Sequence, residues 1–254
     1  MTAAASTQRL DGIRAFLLDL DGVITPTAEI HRRAWSSLFT AEFAKHGVAP
    51  YTERDYFEHL DGKPRFDGVR DTLASRGIEL PEGSPDDTPD AETVGGLGNR
   101  KNAEFARLLA ADGIAAYPGS LEFLRAIAAT SIRTAVVTSS RNGRTVLEAA
   151  GLGRRFTTII DGVHAAELGL PGKPAPDTYL QAARELDVPA AECAVVEDAE
   201  SGVASGAAGG FGAVIGVDRG AGHDALRANG ATLVVDDLAD LIPLLTPTGK
   251  GTGA

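Results

Sequence analysis

Residues 17–24 read LLDLDGVI: a short apolar run carries Asp19 and Asp21 into a glycine-containing turn. A strand that ends in DxDG sets one carboxylate where it can attack. It leaves the second, just past the strand end, within reach of an adjacent leaving group. Carboxylates are poor nucleophiles except toward activated electrophiles such as metal-bound phosphoryl groups. The pattern therefore points to phosphoryl transfer through an aspartyl-phosphate. Asp-Gly by itself is foremost a turn signal, so this reading needs matching chemistry elsewhere in the chain.

Outward from this strand, apolar β-branched runs alternate with helical patterns from residue 114 onward: RTAVVTSS, RTVLEAAG, TTIIDG, PDTYLQAARELDV, ECAVVED, SGVASGAAGG and GAVIGV. Strand followed by helix, repeated, predicts an α/β fold with a parallel sheet covered by helices on both faces. The first strand, near Ala15 to Leu20, belongs to that pattern but is separated from it by about ninety residues. That interval shows helical spacing instead, at Ile30, Ala34, Trp35, Leu38, Phe39 and Phe43, at Phe66, Val69 and Leu73, and at Phe105, Leu108 and Leu109. We read a core domain over residues 1–26 and 113–254, with a helical domain over 27–112 inserted after the first strand. Within the insertion, residues 81–99 (PEGSPDDTPDAETVGGLGN) are rich in Pro, Gly and acidic side chains and predict a long loop.

The 254 residues, 43% hydrophobic and 23% charged, suffice for one sizeable core plus a smaller unit. Cys193 is the only cysteine, which excludes an intramolecular disulfide. No apolar leader opens the chain and no uninterrupted apolar run of about 18 residues occurs, so a soluble cytoplasmic protein is expected. The formal net charge of −11 repels nucleic acid and anionic membranes at long range. We expect a small-molecule partner, no nucleic acid, no membrane, and a monomer, since no exposed apolar stripe stands out. An anionic substrate then needs local cations or a metal. The segment TPTGKGTGA after Leu245 reads as a frayed terminus.

Ligands of open parallel sheets sit beyond the carboxyl ends of the strands, and the later strand ends carry complementary chemistry. Glu197 and Asp198 follow CAVV; Asp19 and Asp198 are placed to chelate Mg²⁺, with water and phosphate completing an octahedron. The plainer alternative makes Asp198 the cap of a helix starting near Ala199. Thr138, Ser139 and Ser140 end another strand just before a helix, where hydroxyls and free backbone N–H groups bind phosphate oxygens or cap the helix. Lys173 lies between strands, in a segment stiffened by Pro174 and Pro176, where a fixed ammonium lowers the repulsion between carboxylates and phosphate.

In this order and spacing, DxDG at Asp19, the hydroxyl strand end at Thr138, Lys173 and Glu197-Asp198 resemble the four motifs of the haloacid dehalogenase superfamily of phosphotransferases. The resemblance runs from about Ala15 to Leu244 and implies a Rossmann-like core, a helical cap formed by the insertion, and Mg²⁺ as cofactor. It implies Asp19 as nucleophile, and Asp21 as general acid and base with its carbonyl on the metal. Asp198, assisted by Glu197, completes the metal site, while Thr138 and Lys173 hold the phosphate. A closer resemblance, to the β-phosphoglucomutase-like family, is carried by DLDGVITPTAEIHRRAW, LDGKPR, NRKN, YPG, TSSRNG and GKPAPD. By position in those motifs, Thr27, His31 and Trp35 match the first cap helix and Arg65 matches the arginine that takes the distal phosphate. Lys101 with Asn102 matches a substrate-contacting pair, and Ser140, Arg141 and Asn142 match the core side of the same pocket.

That resemblance implies a Mg²⁺-dependent mutase interconverting β-glucose 1-phosphate and glucose 6-phosphate. Such an enzyme holds a bisphosphorylated sugar with one phosphate at Asp19 and the other in the cap, a task suited to a guanidinium. His31, one turn into the cap helix, is placed to bond Asp21 and gate it. The alternative is a sugar-phosphate phosphatase on the same scaffold, in which water attacks the aspartyl-phosphate. A silent sugar-phosphate binder is a third reading, against which intact Asp19, Asp21, Lys173 and Asp198 argue. Two departures bear on the substrate: Pro26 stands where many relatives have an acidic residue, and the 81–99 loop and HAAELGLPGKPAP are longer than in compact mutases. Both longer segments are expected near the opening between cap and core.

Overall fold

Six parallel strands make one sheet: β1 (Ala15–Leu18), β2 (Arg133–Val137), β3 (Thr158–Ile160), β4 (Cys193–Glu197), β5 (Ala213–Val217) and β6 (Leu233–Val235). Their order is β3-β2-β1-β4-β5-β6. The computed structural model describes residues 10–245, so the tail expected to fray lies outside the described residues. The DxDG strand is thus a central strand, with every residue of β1 buried. Its side chains alternate between two cores, as the pleat requires. Phe16 and Leu18 join Phe123 and Ile127 on one face; Ala15 and Leu17 join Tyr179 and Ala182 on the other. β6 was not legible in the sequence, since LVV is too short to display a period.

Helices α1 (Thr27–His46), α2 (Glu53–His59), α3 (Arg65–Ala74) and α4 (Val94–Asp112) fill the interval after β1. They enclose a core of their own that includes Trp35, Phe39, Phe43, Val69 and Leu97. α2 escaped the sequence reading because ERDYFEH presents mostly charge; a capping box between Thr52 and Asp55 starts it instead. The remaining helices, α5 (Pro118–Ala128), α6 (Gly143–Ala149), α7 (Gly162–Glu167), α8 (Asp177–Glu185), α9 (Glu200–Ala208) and α10 (His223–Ala228), alternate with the strands.

The loop expected over 81–99 ends earlier. Val94 to Asn99 are the first turns of α4, capped by Thr93, whose Oγ1 accepts from Gly96 N at 2.9 Å. Glycine disfavours helix by about 1 kcal/mol per residue, which is why VGGLGN resembles a loop. Here a Cβ at Gly95 would strike the Ser84 carbonyl, and one at Gly98 would strike the Phe66 ring. Close approach of the preceding loop and α3 therefore selects glycine, and Val94 and Leu97 enter the helical core. The loop is anchored by its own neighbours: Asn99 Nδ2 donates to Pro85 O and Asp87 O, Arg70 pairs with Glu82, and Arg100 donates to Pro89 O. All of these contacts stay within the insertion.

The chain builds β1, β2 and β3 toward one sheet edge, then returns for β4, β5 and β6 on the other side. Loops diverge beyond the ends of β1 and β4 and leave a crevice there.

Candidate active site

Strand register assembles the site. Leu18 stands opposite both Val136 and Val196, and Asp19 N donates to Val196 O at 2.9 Å. The same register sends Asp19, Thr138 and Asp198 off the ends of adjacent strands into one place.

Asp19 is buried and held from two sides: its Oδ1 accepts from Lys173 Nζ at 2.5 Å and its Oδ2 from Asp21 N at 2.8 Å. Burial pushes its carboxyl well above the ordinary range; Lys173 opposes this, while Glu197 and Asp21 add to it. Lys173 reaches Glu197 Oε1 at 2.5 Å as well. Burial alone would lower its ammonium, but the two carboxylates raise it. Glu197 is further fixed by Tyr179, whose hydroxyl donates to Oε1 at 2.6 Å. Asp198 caps nothing: the residue preceding α9 is Ala199, and no side chain caps that helix. Burial, then the nearby Asp61 and Asp19, raise the Asp198 carboxyl strongly. Gly22, at φ +89°, turns the chain so closely over this group that a Cβ would overlap the Asp198 carboxylate.

Asp21 has the opposite character. Burial raises its pKa, yet His31 and the hydroxyls of Thr27 and Thr138 outweigh that and take it down to about 2. Thr138 Oγ1 donates to Oδ2 at 3.1 Å, and Thr27 Oγ1 donates to Oδ1. His31 Nε2 lies 3.4 Å from Oδ1, at ion-pair distance but without hydrogen-bond alignment. His31 is stacked on Phe105, with centroids 4.2 Å apart, and its Nδ1 contacts Lys101 Nζ. The Lys101 contact leaves Nε2 as the ring nitrogen that faces Asp21. Burial and then Lys101 lower His31; burial and then Arg65 lower Lys101, whose ammonium sits 4.7 Å from the Trp35 ring centroid.

A cavity of about 70 Å³ separates these groups from the insertion. Asp19, Asp21, Glu197, Asp198 and the run Thr138 to Asn142 line it from the sheet side; His31, Trp35, Arg65 and Lys101 line it from the helices. Thr27, Lys173 and Asn102 stand one layer behind. Asn102, expected against substrate, is occupied otherwise: its Oδ1 accepts from Arg65 Nη2 at 2.8 Å and from Asn142 Nδ2 at 2.7 Å. Ser139 Oγ donates across the joint to Gly62 O at 2.8 Å, and Ser140 Oγ accepts from Asn142 N at 3.2 Å. Arg65 is pulled down to about 10 by burial and then by Arg141.

A family model for haloacid dehalogenase-like hydrolases matches residues 13–210. The chain belongs to this family. The beta-phosphoglucomutase of Mycobacterium tuberculosis (strain CDC 1551 / Oshkosh) is 47% identical over 241 residues, covering 91% of this chain and 92% of that protein. The Bacillus subtilis beta-phosphoglucomutase is 34% identical over 232 residues, with 90% and 92% covered. The crystal structure of beta-phosphoglucomutase from Clostridium difficile aligns with a TM-score of 0.73 at 26% identity, covering 90% of this chain and 93% of that one. Within the haloacid dehalogenase superfamily this chain is thus a β-phosphoglucomutase-like enzyme of the phosphatase and phosphomutase kind, with a Rossmann-like core and a helical cap. No helix among the described residues is long and apolar enough to cross a membrane.

Three residues of this haloacid dehalogenase site escaped the sequence reading. Asp61 lines the cavity from the cap and is pushed up to about 6, chiefly by burial. Its Asp-Gly signature reads as a turn, and only the docking of the cap buries it. Tyr179 reads as a core position of α8, and its role on Glu197 needs the tertiary fold. Asn99, which accepts from Arg65 Nη1 at 3.2 Å, lies in the stretch expected to be loop.

Proposed function

We propose that this chain is a Mg²⁺-dependent β-phosphoglucomutase that works through an aspartyl-phosphate at Asp19. The observation that carries the reading is the two-ended chemistry of one cavity. Asp19, braced by Lys173 beside Thr138, shares the cavity with three further cations, Arg65 and Lys101 from the cap and Arg141 from the core. A bisphosphorylated hexose needs an anion site at each end, whereas a monophosphatase needs only the first. The relatives named above support the same substrate.

The donor set fits the cation. Oxygens of Asp19, Glu197 and Asp198 lie within 4.8 Å of one another and all three residues are buried. A hard divalent ion suits an all-oxygen site, with the Asp21 carbonyl as a further ligand. When bound, Mg²⁺ neutralises phosphoryl oxygens so that one anion can approach another.

Asp19 attacks phosphorus, and the new oxygen–phosphorus bond forms as the bond to the sugar oxygen breaks. Asp21 moves the proton. With its carboxyl near 2 in this closed arrangement, it serves as the base that takes the proton of the sugar hydroxyl attacking phosphorylated Asp19. It returns that proton to the departing oxygen in the opposite direction. Thr138 and Lys173 hold the transferring group, while Arg65, Ser140, Arg141 and Asn142 hold the far phosphate. At about 70 Å³, the cavity is far below the few hundred Å³ of ordinary ligand pockets. The cap therefore lifts to admit substrate and closes to exclude water. The net charge of −11 and the absence of disulfides suit a cytoplasmic monomer acting on small sugar phosphates, with no nucleic-acid or membrane partner.

The test supplies β-glucose 1-phosphate, Mg²⁺ and a trace of β-glucose 1,6-bisphosphate, and reads glucose 6-phosphate and free phosphate in parallel. Glucose 6-phosphate without matching phosphate release is expected; phosphate release alone makes the chain a phosphatase. Asp19→Asn should abolish turnover while sugar phosphate still binds, and retained turnover rules out Asp19 as nucleophile.

A further inference from the structure

A second cleft, of about 300 Å³, opens beside the first at the joint between cap and core. Pro64 and Phe66 of the cap form one wall; Ala165, Ala166 and Leu170 of the core form the other. Arg65 and Arg141 line both cavities and so stand at the doorway between them.

Two features mark the cleft as prepared for a ligand. Thr178, in its lining, is only 6% exposed, yet its Oγ1 has no hydrogen-bond partner. A buried hydroxyl left unpaired destabilises the protein that carries it, and native structures rarely keep one without a use. The charges at the doorway are also unbalanced. Arg65 bonds only neutral amides, those of Asn99 and Asn102, and the Arg141 guanidinium makes no hydrogen bond or ion pair among the described residues. Asp67, the carboxylate in the lining, is engaged by Arg70. Small side chains at Ala165 and Ala166 leave room for a flat group opposite the Phe66 ring, an arrangement that favours aromatic stacking.

We propose that this cleft binds aromatic phosphate monoesters. The phosphate lies between Arg65 and Arg141, the ring packs between Phe66 and Leu170, and Thr178 Oγ1 bonds a polar substituent on the ring. The proposal rests on Arg65 and Arg141 being a phosphate grip. Because the walls belong to cap and core alike, such a ligand clasps the joint and competes with sugar bisphosphate for the two guanidiniums.

Calorimetric titration with phenylphosphonate and methylphosphonate, neither of which can be hydrolysed, tests it. Phenylphosphonate should bind about tenfold more tightly, as expected for covering part of an apolar ring. Ala166→Phe, which fills the cleft, should remove that difference while leaving methylphosphonate and glucose 6-phosphate affinities unchanged. Thr178→Val should weaken 4-hydroxyphenylphosphonate about fivefold and leave phenylphosphonate unaffected. Equal affinity of the two simple phosphonates overturns the cleft while leaving the grip intact. Failure of both to bind removes the grip itself. A phenyl advantage that survives in Ala166→Phe places the ring elsewhere and also overturns the proposal.

Discussion

Asn142 Nδ2 donates to Asn102 Oδ1 at 2.7 Å, and the same oxygen accepts from Arg65 Nη2 at 2.8 Å. One amide oxygen therefore ties the core to the cap and aims the cap's arginine. In Asn102→Ala, Arg65 keeps only its 3.2 Å bond to Asn99. We expect KM for β-glucose 1-phosphate to rise about tenfold with kcat changed less than about threefold, the signature of lost binding rather than lost chemistry. Steady-state kinetics separates the two, and an unchanged KM denies the oxygen this role.

Lys173 is the only cation bonded to the buried pair Asp19 and Glu197 among the described residues. Lys173→Met leaves both carboxylates buried and unpaired. The expected loss is about 3–5 kcal/mol in urea unfolding, partly restored by millimolar Mg²⁺, which replaces the missing positive charge. Unaltered stability in chelator would mean that the ammonium does not hold the site together.

The acid groups predict an unusual pH profile for the metal-free protein. Asp61 is raised from its ordinary 3.8 to about 6, so the folded state binds more protons than the unfolded chain between those values. Stability therefore falls as pH rises from about 4 to about 6, and the raised carboxyls of Asp19 and Asp198 act in the same direction. Asp21 and His31 act oppositely: Asp21, held near 2, contributes above 3.8 and loses that as pH falls toward 2, while the lowered His31 regains stability as pH rises toward its ordinary 6.5 and offsets part of the fall. Melting curves in chelator should peak near pH 4 and show lower stability at pH 6 than at pH 4. Added Mg²⁺ should remove most of that difference. A stability that climbs steadily from pH 4 to pH 7 without metal contradicts this balance.

Gly22 occupies φ +89° against Asp198, so Gly22→Ala meets both backbone strain and overlap with the Asp198 carboxylate, a proposed Mg²⁺ ligand. We expect about 2 kcal/mol or more of destabilisation. Mn²⁺ affinity, read by electron paramagnetic resonance, should weaken about tenfold. A variant that melts lower but binds Mn²⁺ normally would confine the effect to the turn.

The chemistry at the strand ends was legible because Asp19, Thr138 and Glu197-Asp198 each terminate a short apolar run, and a parallel sheet brings such ends together. Legibility failed where tertiary structure outweighs local signal. Glycines at positions 95 and 98 imitate a loop until the neighbouring backbone and the Phe66 ring are seen pressed against them. Asp61 looks like a turn residue until the cap buries it, and Tyr179 looks like plain core until its hydroxyl meets Glu197. Asn102 stood out by its motif, but its partners Arg65 and Asn142 were not legible, because they depend on how the cap settles on the core.

β1 lies in the middle of the sheet, yet its partners begin at Arg133 and Cys193. During synthesis the strand bearing Asp19 leaves the ribosome long before either neighbour exists, while α1 to α4 already hold the makings of a separate core. Pairings so distant in sequence form late and slowly. An apolar central strand must wait unpaired until β2 emerges, exposed to chaperones and to other chains. A chain that stops before β4 carries Asp19, Thr138 and Lys173 but lacks Glu197 and Asp198, so the constellation is complete only once the strand on the other side of β1 has joined.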